Sequence, residues 1–467
     1  MAPLAGLLQA AGAEVSGSDN TLYPPTSTLL ERLGIPVLTG FDPAHLDRPI
    51  DQVVIGNAVP KTNVEVEEVL RRALPYTSMP EAVREHFLSE RHSVVIAGTH
   101  GKTTTSSLVA WLLESAKRHP SFLVGGELQN FGQNFQLGPG EHFVIEGDEY
   151  NTAFFDRGAK FLHYSARTLL INNVELDHID LYPDFDAVLA AFRAAVAQLP
   201  AGGRLFYNFD DPGACRAAEI ESKAERIGFS ANGNPGAGWR AEELECSPAG
   251  RSVRWTGPDS RFQAFLPAES LSGPHNLANS LAASAIVHTL GLTPEEISEG
   301  LATFRGVRRR LEIVGEPRGI TILDDFAHHP TAVRQTIAGA RRRFEGRRLW
   351  AIFEPRSLSS GRRIFQSEYG GAFCEADQVI LAPIFYAKRL PPGEAMDADR
   401  LVRDIETSGP ATRLAESVDE IVDRLGNDAR PGDVILCMSS GSFEGLPGRL
   451  VSRLAADPDL TPPKRRN

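Results

Sequence analysis

The sequence predicts an α/β protein of three domains, and three observations support this. The chain has 467 residues, more than one hydrophobic core usually organises. Short apolar runs alternate with helical segments in its first and last parts, as in parallel sheets. A glycine-rich loop of the phosphate-binding type lies between a strand and a helix in its middle part. We therefore expect a Rossmann-like domain at 1–89, a P-loop ATPase-like domain at 90–313 and a second Rossmann-like domain at 314–467.

The first region alternates short helices and extended segments. Helices are expected at 4–11 and 29–33, extended segments at 14–16 and 36–38, and a buried strand at 53–55. This order is typical of a small parallel unit of the dinucleotide-binding type. Met1 falls inside the first helix, and the usual first strand and its glycine-rich turn do not precede it. Either the true start lies upstream or the chain lacks these elements. We expect an incomplete domain with an exposed sheet edge.

The most informative segment is Gly-Thr-His-Gly-Lys-Thr-Thr-Thr at 98–105. The apolar run 94–97 before it predicts a buried strand, and 106–113 after it predicts a helix. Backbone N–H groups and the helix dipole at such a turn attract phosphate, while a lysine and a hydroxyl supply a cation and a magnesium ligand. Ile96 stands where the usual loop has glycine, so this loop is shorter. A plain strand–turn–helix junction is the alternative, but nucleoside triphosphate binding explains the Lys-Thr pair better.

Polar residues follow two more apolar runs, at the ends where parallel sheets bind ligands. Glu146 follows the run 142–145, and His178 lies in a polar stretch after the run 169–171. We expect Glu146 to hold magnesium against a triphosphate, the alternative being a solvated strand end. For His178, a ligand of a second metal and a hydrogen-bonded loop histidine remain equally open.

Three further clusters carry polar chemistry. Arg310, in the run 308–310, could clamp phosphate oxygens or belong to a basic helix end. Asp325, in the segment 324–330, could bind a ribose hydroxyl or fix the backbone. The paired histidines in this segment suggest a zinc site, but no third ligand lies at a suitable spacing in the sequence. Asn276 and Asn279 share one face of a helix and suit a purine edge, with helix capping as the alternative.

Composition excludes several classes of function. The net charge of −12 argues against a general nucleic-acid or membrane surface. The sequence has neither an apolar run long enough for a membrane span nor a recognisable signal peptide. Its four cysteines form no metal-type pair and suit a reducing compartment, so we expect a cytoplasmic protein. The basic tail 464–466 is expected to be a solvated end.

These motifs together resemble the Mur ligases, the ATP-dependent amide-forming enzymes of peptidoglycan synthesis. The shortened phosphate loop, Glu146, the Asp177-His178 pair and the segments 273–279, 306–312 and 324–330 occur in that family's order. The match extends over nearly the whole chain. The resemblance implies the three-domain Mur ligase architecture, ATP and Mg²⁺ as cofactors, and an acyl-phosphate intermediate.

The resemblance also implies roles for individual residues. Lys102 and the loop amides would hold the β- and γ-phosphates, Thr103 and Glu146 would bind magnesium, and His178 would support a second ion. Arg310 would reach the γ-phosphate. The residues implied at the nucleotide as a whole are Gly98, Thr99, His100, Gly101, Lys102, Thr103, Thr104, Asn276, Asn279, Arg310 and Asp325, and those implied at the substrates are Ser16, Ser18 and Asp19 for the UDP-sugar and Arg356 for a peptide carboxylate.

Within the family, the segments 146–156, 353–357 and 438–443 are similar to the branch that joins UDP-N-acetylmuramate to the murein tripeptide L-alanyl-γ-D-glutamyl-meso-diaminopimelate in peptidoglycan recycling. Asn151 and Leu358 depart from the family's usual aspartate and asparagine. Two alternatives remain: a ligase that adds free L-alanine to the same sugar nucleotide, and a non-catalytic nucleotide-binding relic. The chain is expected to be a monomer or a homodimer.

Overall fold

The computed structural model describes residues 1–357 and 359–456, so the expectations on Leu358 and on the tail 464–466 lie outside it. It confirms the predicted α/β class, with two large sheets that consist mostly of parallel strands. The described helices include none that is long and apolar enough to span a membrane.

The N-terminal region has short elements. Its helices and strands are α1 (Ala2–Ala10), β1 (Gly17–Asp19), α2 (Thr26–Leu33), β2 (Val37–Thr39), β3 (Val53–Ile55), α3 (Val64–Arg72), β4 (Tyr76–Ser78) and α4 (Met79–Val83). β1 pairs with β2, and β3 with β4, both in parallel. The two pairs form separate two-stranded sheets, because no described strand lies between them.

Two expectations for this region need correction. The segment 14–16 is not a strand; β1 begins at Gly17, where the chain pairs with Val37 of β2. Pairing with a neighbour, not the local apolar residue Val15, sets the start of this strand. β3 is only partly buried, with Ile55 alone inside, because it belongs to a two-stranded sheet.

The middle region contains a sheet of ten strands. Its elements are β5 (His92–Ala97), α5 (Lys102–Ser115), β6 (Ser121–Leu128), β7 (Gln133–Gln136), β8 (His142–Gly147), β9 (Asn151–Ala153), β10 (Asp156–Ala159), β11 (Thr168–Ile171), α6 (Phe185–Ala197), β12 (Arg204–Asn208), α7 (Pro212–Ala218), β13 (Glu225–Ser230), β14 (Trp239–Ser247), β15 (Gly250–Thr256), β16 (Arg261–Pro267), α8 (Ala268–Leu271), α9 (Pro274–Thr289) and α10 (Pro294–Ala302). The strand order is β16-β15-β14-β13-β12-β11-β5-β8-β6-β7, with antiparallel pairs at both edges.

β5 lies inside this sheet and is buried on both faces, which explains its uninterrupted apolar run. Val94 and Ile96 pack on one face with the α5 and α9 helices, while Val95 and Ala97 pack on the other. β5 is parallel to β8 and to β11, its two neighbours. The carboxyl ends of these three strands therefore lie side by side, as the sequence predicts.

The C-terminal region contains a six-stranded sheet in the order β17-β18-β22-β19-β20-β21, parallel except for β17. Its elements are β17 (Glu312–Gly315), β18 (Thr321–Asp325), α11 (Pro330–Arg343), β19 (Leu349–Phe353), α12 (Gln366–Ala372), β20 (Gln378–Leu381), α13 (Ala398–Thr407), β21 (Ala411–Leu414), α14 (Val418–Asp428), β22 (Val434–Met438) and α15 (Leu446–Ala456). β17 crosses residue 313, where the sequence places a boundary. The three domain ranges stay predictions.

Candidate active site

The loop between β5 and α5 has the shape that its glycines allow. Gly98 has a φ of 137° and Gly101 a φ of 79°, backbone conformations that side chains other than glycine rarely adopt. A Cβ on Gly101 would lie 2.3 Å from the Asn172 amide nitrogen and 2.6 Å from the Asn279 amide oxygen. Gly101 thus lies too close to these two amides to carry a side chain, and α5 begins immediately after it at Lys102.

The Lys102 ammonium is buried at this helix start. Its Nζ donates to the carbonyl oxygens of Gly98 (2.7 Å) and Thr99 (3.2 Å) and to Glu149 Oε2 (2.7 Å). Burial acts against the charged form, but the carboxylates of Glu149, Asp148 and Glu146 outweigh it and raise the pKa of Lys102. The lysine is therefore a fixed cation at the phosphate loop.

Thr103 and Glu146 present oxygen ligands next to this cation. Thr103 Oγ1 donates to Glu146 Oε1 at 3.0 Å, and the Gly125 N–H donates to Glu146 Oε2 at 2.7 Å. Burial raises the pKa of Glu146, although Lys102 acts in the opposite direction. A hydroxyl and a buried carboxylate at the mouth of a phosphate loop are the donor set that Mg²⁺ prefers, so these residues fit the ion.

Glu149 is a central residue that the sequence reasoning missed. Its carboxylate bridges Lys102 and His178, whose Nε2 lies 3.4 Å from Glu149 Oε1. Tyr182 also donates its hydroxyl to the Glu149 carbonyl at 2.7 Å. The run of acidic residues at 146–149 was the only signal of this position in the sequence, and it does not distinguish which carboxylate points inward.

His178 lies on the far side of Glu149, in a loop with a positive φ of 50°. Asp177 Oδ2 is 3.8 Å from its Nε2, and the Tyr150 ring lies over it with centroids 4.0 Å apart. Burial favours the neutral imidazole, but Glu149 and Asp177 outweigh it and raise the pKa of His178. The contacts pair this histidine with two carboxylates and are compatible with both alternatives that the sequence left open, so the role of metal ligand stays a prediction.

Two residues approach the loop from the C-terminal side. Arg310 donates from Nη2 to Thr103 Oγ1 at 3.3 Å, and its guanidinium lies 5.2 Å from the Phe326 ring centroid. Asp325 is buried and accepts the N–H groups of Leu311 and Ala327, each at 2.8 Å. These contacts support a backbone-fixing role for Asp325, the alternative to a ribose contact.

The two amides of α9 are buried together beside the loop. Asn279 Nδ2 donates to Asn276 Oδ1 at 3.1 Å, as the spacing of three residues predicts. Asn276 Nδ2 donates to the Ser272 carbonyl at 2.8 Å, and Asn279 Oδ1 accepts from Asn172 Nδ2 at 2.9 Å. The amides therefore brace the phosphate loop against α9.

One cleft of about 1140 Å³ joins most of the predicted residues. Its lining includes Thr99, His100, Gly101, Lys102, Thr103, Thr104, Glu146, His178, Asn276, Asn279, Arg310, Asp325 and Arg356. Ser16, Ser18 and Asp19 are not among the lining residues, and the Ser18 hydroxyl hydrogen-bonds to Glu65 instead. Gly98 faces Asn172 behind the loop.

Arg356 follows β19 at the C-terminal side of the same cleft. Its guanidinium lies 3.9 Å from the Phe385 ring centroid, and its Nη1 is 3.5 Å from Glu354 Oε2. A Cβ on Gly441 would lie 2.0 Å from Arg356 Nε, so the chain after β22 leaves room for this side chain. The Phe385 ring and the space beside Gly441 thus hold the Arg356 guanidinium at the cleft, on its C-terminal side.

Comparison with known proteins gives a consistent result. Three Mur ligase families match: the Mur ligase catalytic-domain family over residues 1–91, the middle-domain family over 96–287 and the glutamate ligase domain family over 309–441. The chain is 37% identical over 463 residues to the UDP-N-acetylmuramate–L-alanyl-γ-D-glutamyl-meso-2,6-diaminoheptandioate ligase of Escherichia coli, covering 97% of this chain and 96% of that protein.

Two further relatives are informative. A UDP-N-acetylmuramate–L-alanine ligase of Acidothermus cellulolyticus is 35% identical over 462 residues, covering 97% of this chain and 92% of that protein. The crystal structure of a murein peptide ligase from Psychrobacter arcticus superposes with a TM-score of 0.72 at 32% identity, covering 97% and 96% of the two chains.

Proposed function

Because the chain belongs to the Mur ligase family of ATP-dependent amide-bond-forming ligases, we propose that it joins UDP-N-acetylmuramate to the tripeptide L-alanyl-γ-D-glutamyl-meso-diaminopimelate. The observation that carries this proposal is that Lys102, Glu146, Arg310 and Arg356 all line one cleft. It combines a phosphate loop, an oxygen-ligand pair and a separate cation for a second anionic substrate. The 37% identity to a relative named for this tripeptide supports the choice of amine.

The phosphate-loop half of the cleft suits ATP. Lys102 and the loop N–H groups would bind the β- and γ-phosphates, and Arg310 would neutralise charge on the γ-phosphate. Thr103 and Glu146 would hold Mg²⁺, which reduces the repulsion between the triphosphate and an approaching carboxylate. We keep His178 as a proposed ligand of a second ion, with Glu149 orienting its ring.

The reaction follows from the chemistry of a carboxylate. A carboxylate is a poor acyl donor because its leaving group would be oxide. Its oxygen would attack the γ-phosphorus of ATP, forming an acyl phosphate and releasing ADP. The tripeptide amine would then attack the acyl carbon, expelling phosphate and losing one proton. Fixed charges such as Lys102 and Arg310 stabilise the transferring phosphoryl group without reorganising.

The C-terminal half of the cleft suits the incoming peptide. Arg356 stacks on Phe385 and faces the cleft, where it would bind a carboxylate of the tripeptide. Ser16, Ser18 and Asp19 remain the proposed contacts of the UDP-sugar. A role in peptidoglycan recycling in the cytoplasm would follow from this substrate.

The second candidate is the L-alanine ligase reaction, which the 35% identity to such a relative favours. Phosphate release with ATP, Mg²⁺ and UDP-N-acetylmuramate separates the candidates when tripeptide or L-alanine is added. We expect stimulation by the tripeptide and loss of it in Glu146→Gln. Stimulation by L-alanine alone would replace the proposed substrate, and stimulation by neither would favour a nucleotide-binding relic.

A further inference from the structure

Three side chains converge beside the phosphate loop, outside the contacts used above. They are His100 of the loop, Glu175 in the segment after β11, and His329 directly before α11. His100 Nε2 lies 3.1 Å from His329 Nδ1 and 3.3 Å from Glu175 Oε2, and the last two atoms are 3.4 Å apart. The fold thus supplies the partners that the sequence spacing around the paired histidines did not reveal.

This triangle has the dimensions of a tetrahedral metal site. Zn²⁺ binds imidazole nitrogen and carboxylate oxygen at about 2.0–2.2 Å, which places ligand atoms at tetrahedral positions about 3.3–3.6 Å apart. The three observed separations of 3.1, 3.3 and 3.4 Å are close to that edge. The two rings are tilted by 39° with centroids 4.6 Å apart, so they do not stack in parallel.

Hydrogen bonds also reach these atoms. His100 Nε2 lies 3.1 Å from His329 Nδ1 and 3.3 Å from Glu175 Oε2, and His329 Nδ1 accepts the Thr331 N–H at 3.4 Å. The one short hydrogen bond at these atoms comes from Thr331 Oγ1, which donates to Glu175 Oε2 at 2.7 Å. That bond orients the carboxylate as an outer partner of a metal ligand would.

The cluster is open to solvent on one side. The His329 side chain is 4% exposed and that of Glu175 28% exposed, so solvent reaches the carboxylate side. A water molecule could complete a fourth position there.

We propose that His100, Glu175 and His329 form a binding site for one borderline divalent cation of the Zn²⁺ type, separate from the Mg²⁺ ligands Thr103 and Glu146. Two imidazoles discriminate against Mg²⁺, which prefers oxygen ligands. A cation here fastens the phosphate loop to the start of α11, and so links the ten-stranded sheet to the six-stranded one. The loop and α11 then resist separation.

Cobalt absorption tests the site, because tetrahedral Co²⁺ absorbs much more strongly in the visible range than octahedral Co²⁺. The full chain is titrated with Co²⁺ in excess Mg²⁺, and then with Zn²⁺ as competitor. We expect about one tetrahedral Co²⁺ per chain, displaced by Zn²⁺. Thermal unfolding gives an independent readout, since Zn²⁺ that binds the folded chain raises its melting temperature.

Four variants assign the signal. Glu175→Gln and His329→Ala should weaken Co²⁺ binding by at least about tenfold, because losing an outer hydrogen-bond partner alone costs about 10- to 100-fold. Glu146→Gln should keep the tetrahedral band, since it removes only the magnesium ligand. His45→Gln should also keep it, because His45 forms a two-residue pair with Glu65 elsewhere.

Two results would overturn the proposal. One is a wild-type spectrum without a tetrahedral band, and the other is equal Co²⁺ affinity in wild type and Glu175→Gln. Either result leaves the cluster as a hydrogen-bonded junction only. Glu175→Gln preserves the shape of the side chain, so its Co²⁺ affinity tests the proposed site even if His329→Ala does not fold.

Discussion

The ion pair between Lys102 and Glu149 gives a stability prediction whose sign depends on burial. The two side chains are 12% and 4% exposed, and their charged atoms are 2.7 Å apart. Lys102→Met keeps the length of the side chain but removes its charge. Within residues 1–357 and 359–456, the buried Glu149 carboxylate then keeps His178 as its one cationic partner, at 3.4 Å. An uncompensated buried charge destabilises a fold much more than the loss of a surface pair does.

The size of the effect follows from this arrangement. Breaking a buried pair by removing one partner typically costs about 3–5 kcal/mol, and the remaining contact with His178 puts this case near 3 kcal/mol. For a folding unit of this size, that corresponds to a fall in melting temperature of about 6–12 °C. Glu149→Gln added to Lys102→Met removes the uncompensated charge, so the double variant should recover about 2 kcal/mol.

Thermal unfolding followed by tryptophan fluorescence measures both effects. Arg400→Met is the control, because Arg400 pairs with Asp404 at 3.6 Å on the surface, where the side chains are 63% and 35% exposed. That change should cost no more than about 1 kcal/mol. The reasoning is refuted if Lys102→Met melts within about 2 °C of wild type, or if the double variant is less stable than Lys102→Met alone.

Three further predictions follow from the same region and its surroundings. Gly101→Ala should abolish detectable ADP binding, because the added Cβ would collide with the Asn172 and Asn279 side chains. Gly12→Ala is the control: Gly12 also has a positive φ but has open space around it, so this variant should bind ADP normally. Equal ADP affinities of the two variants would contradict the steric argument. Arg310→Met should lower kcat by at least about 10²-fold with ADP affinity within a few-fold of wild type, and an unchanged kcat would remove Arg310 from the transfer step. Burial lowers the pKa of His92 to about 4. As the pH falls, the unfolded chain takes up a proton at this histidine near pH 6.5, whereas the folded chain does not. The contribution of His92 to the free energy of unfolding is therefore present above pH 6.5 and is lost as the pH falls toward 4. His92→Gln should therefore reduce the acid destabilisation by about 2 kcal/mol in urea unfolding at pH 7 and pH 4.5, and an identical pH dependence would count against it.

The sequence predicted those parts of the fold that depend on continuous local patterns. The run 349–353 is apolar throughout, a pattern that predicts a buried strand, and β19 spans these same residues because all of them are buried. The phosphate loop could be placed because glycine, lysine and threonine occur there at a fixed spacing between a strand and a helix. Where a strand depends on its partner, as β1 depends on β2, the local pattern placed it three residues too early.

The residues of the candidate site also differ in whether local sequence pattern or long-range contacts determine their position. Glu146 could be predicted because it directly follows an apolar run, and the register places it beside Ile96 of β5. Glu149 could not, since its importance arises from contacts with Lys102 and His178, which are 47 and 29 positions away in the sequence. The cluster of His100, Glu175 and His329 was hidden for the same reason, because it joins three segments that the fold alone brings together.

The buried charges at the phosphate loop connect the stability prediction with the proposed chemistry. Glu149 keeps the Lys102 ammonium ionised inside the protein, so binding a triphosphate does not require that lysine to take up a proton. The Gly98 and Thr99 carbonyls hold the same ammonium at the loop, which fixes its position as well as its charge. A cation that is already charged and oriented stabilises a transferring phosphoryl group without reorganisation. Losing either partner costs stability because it leaves the other charge buried and unpaired. In the proposed mechanism, the same pair keeps Lys102 charged for phosphoryl transfer.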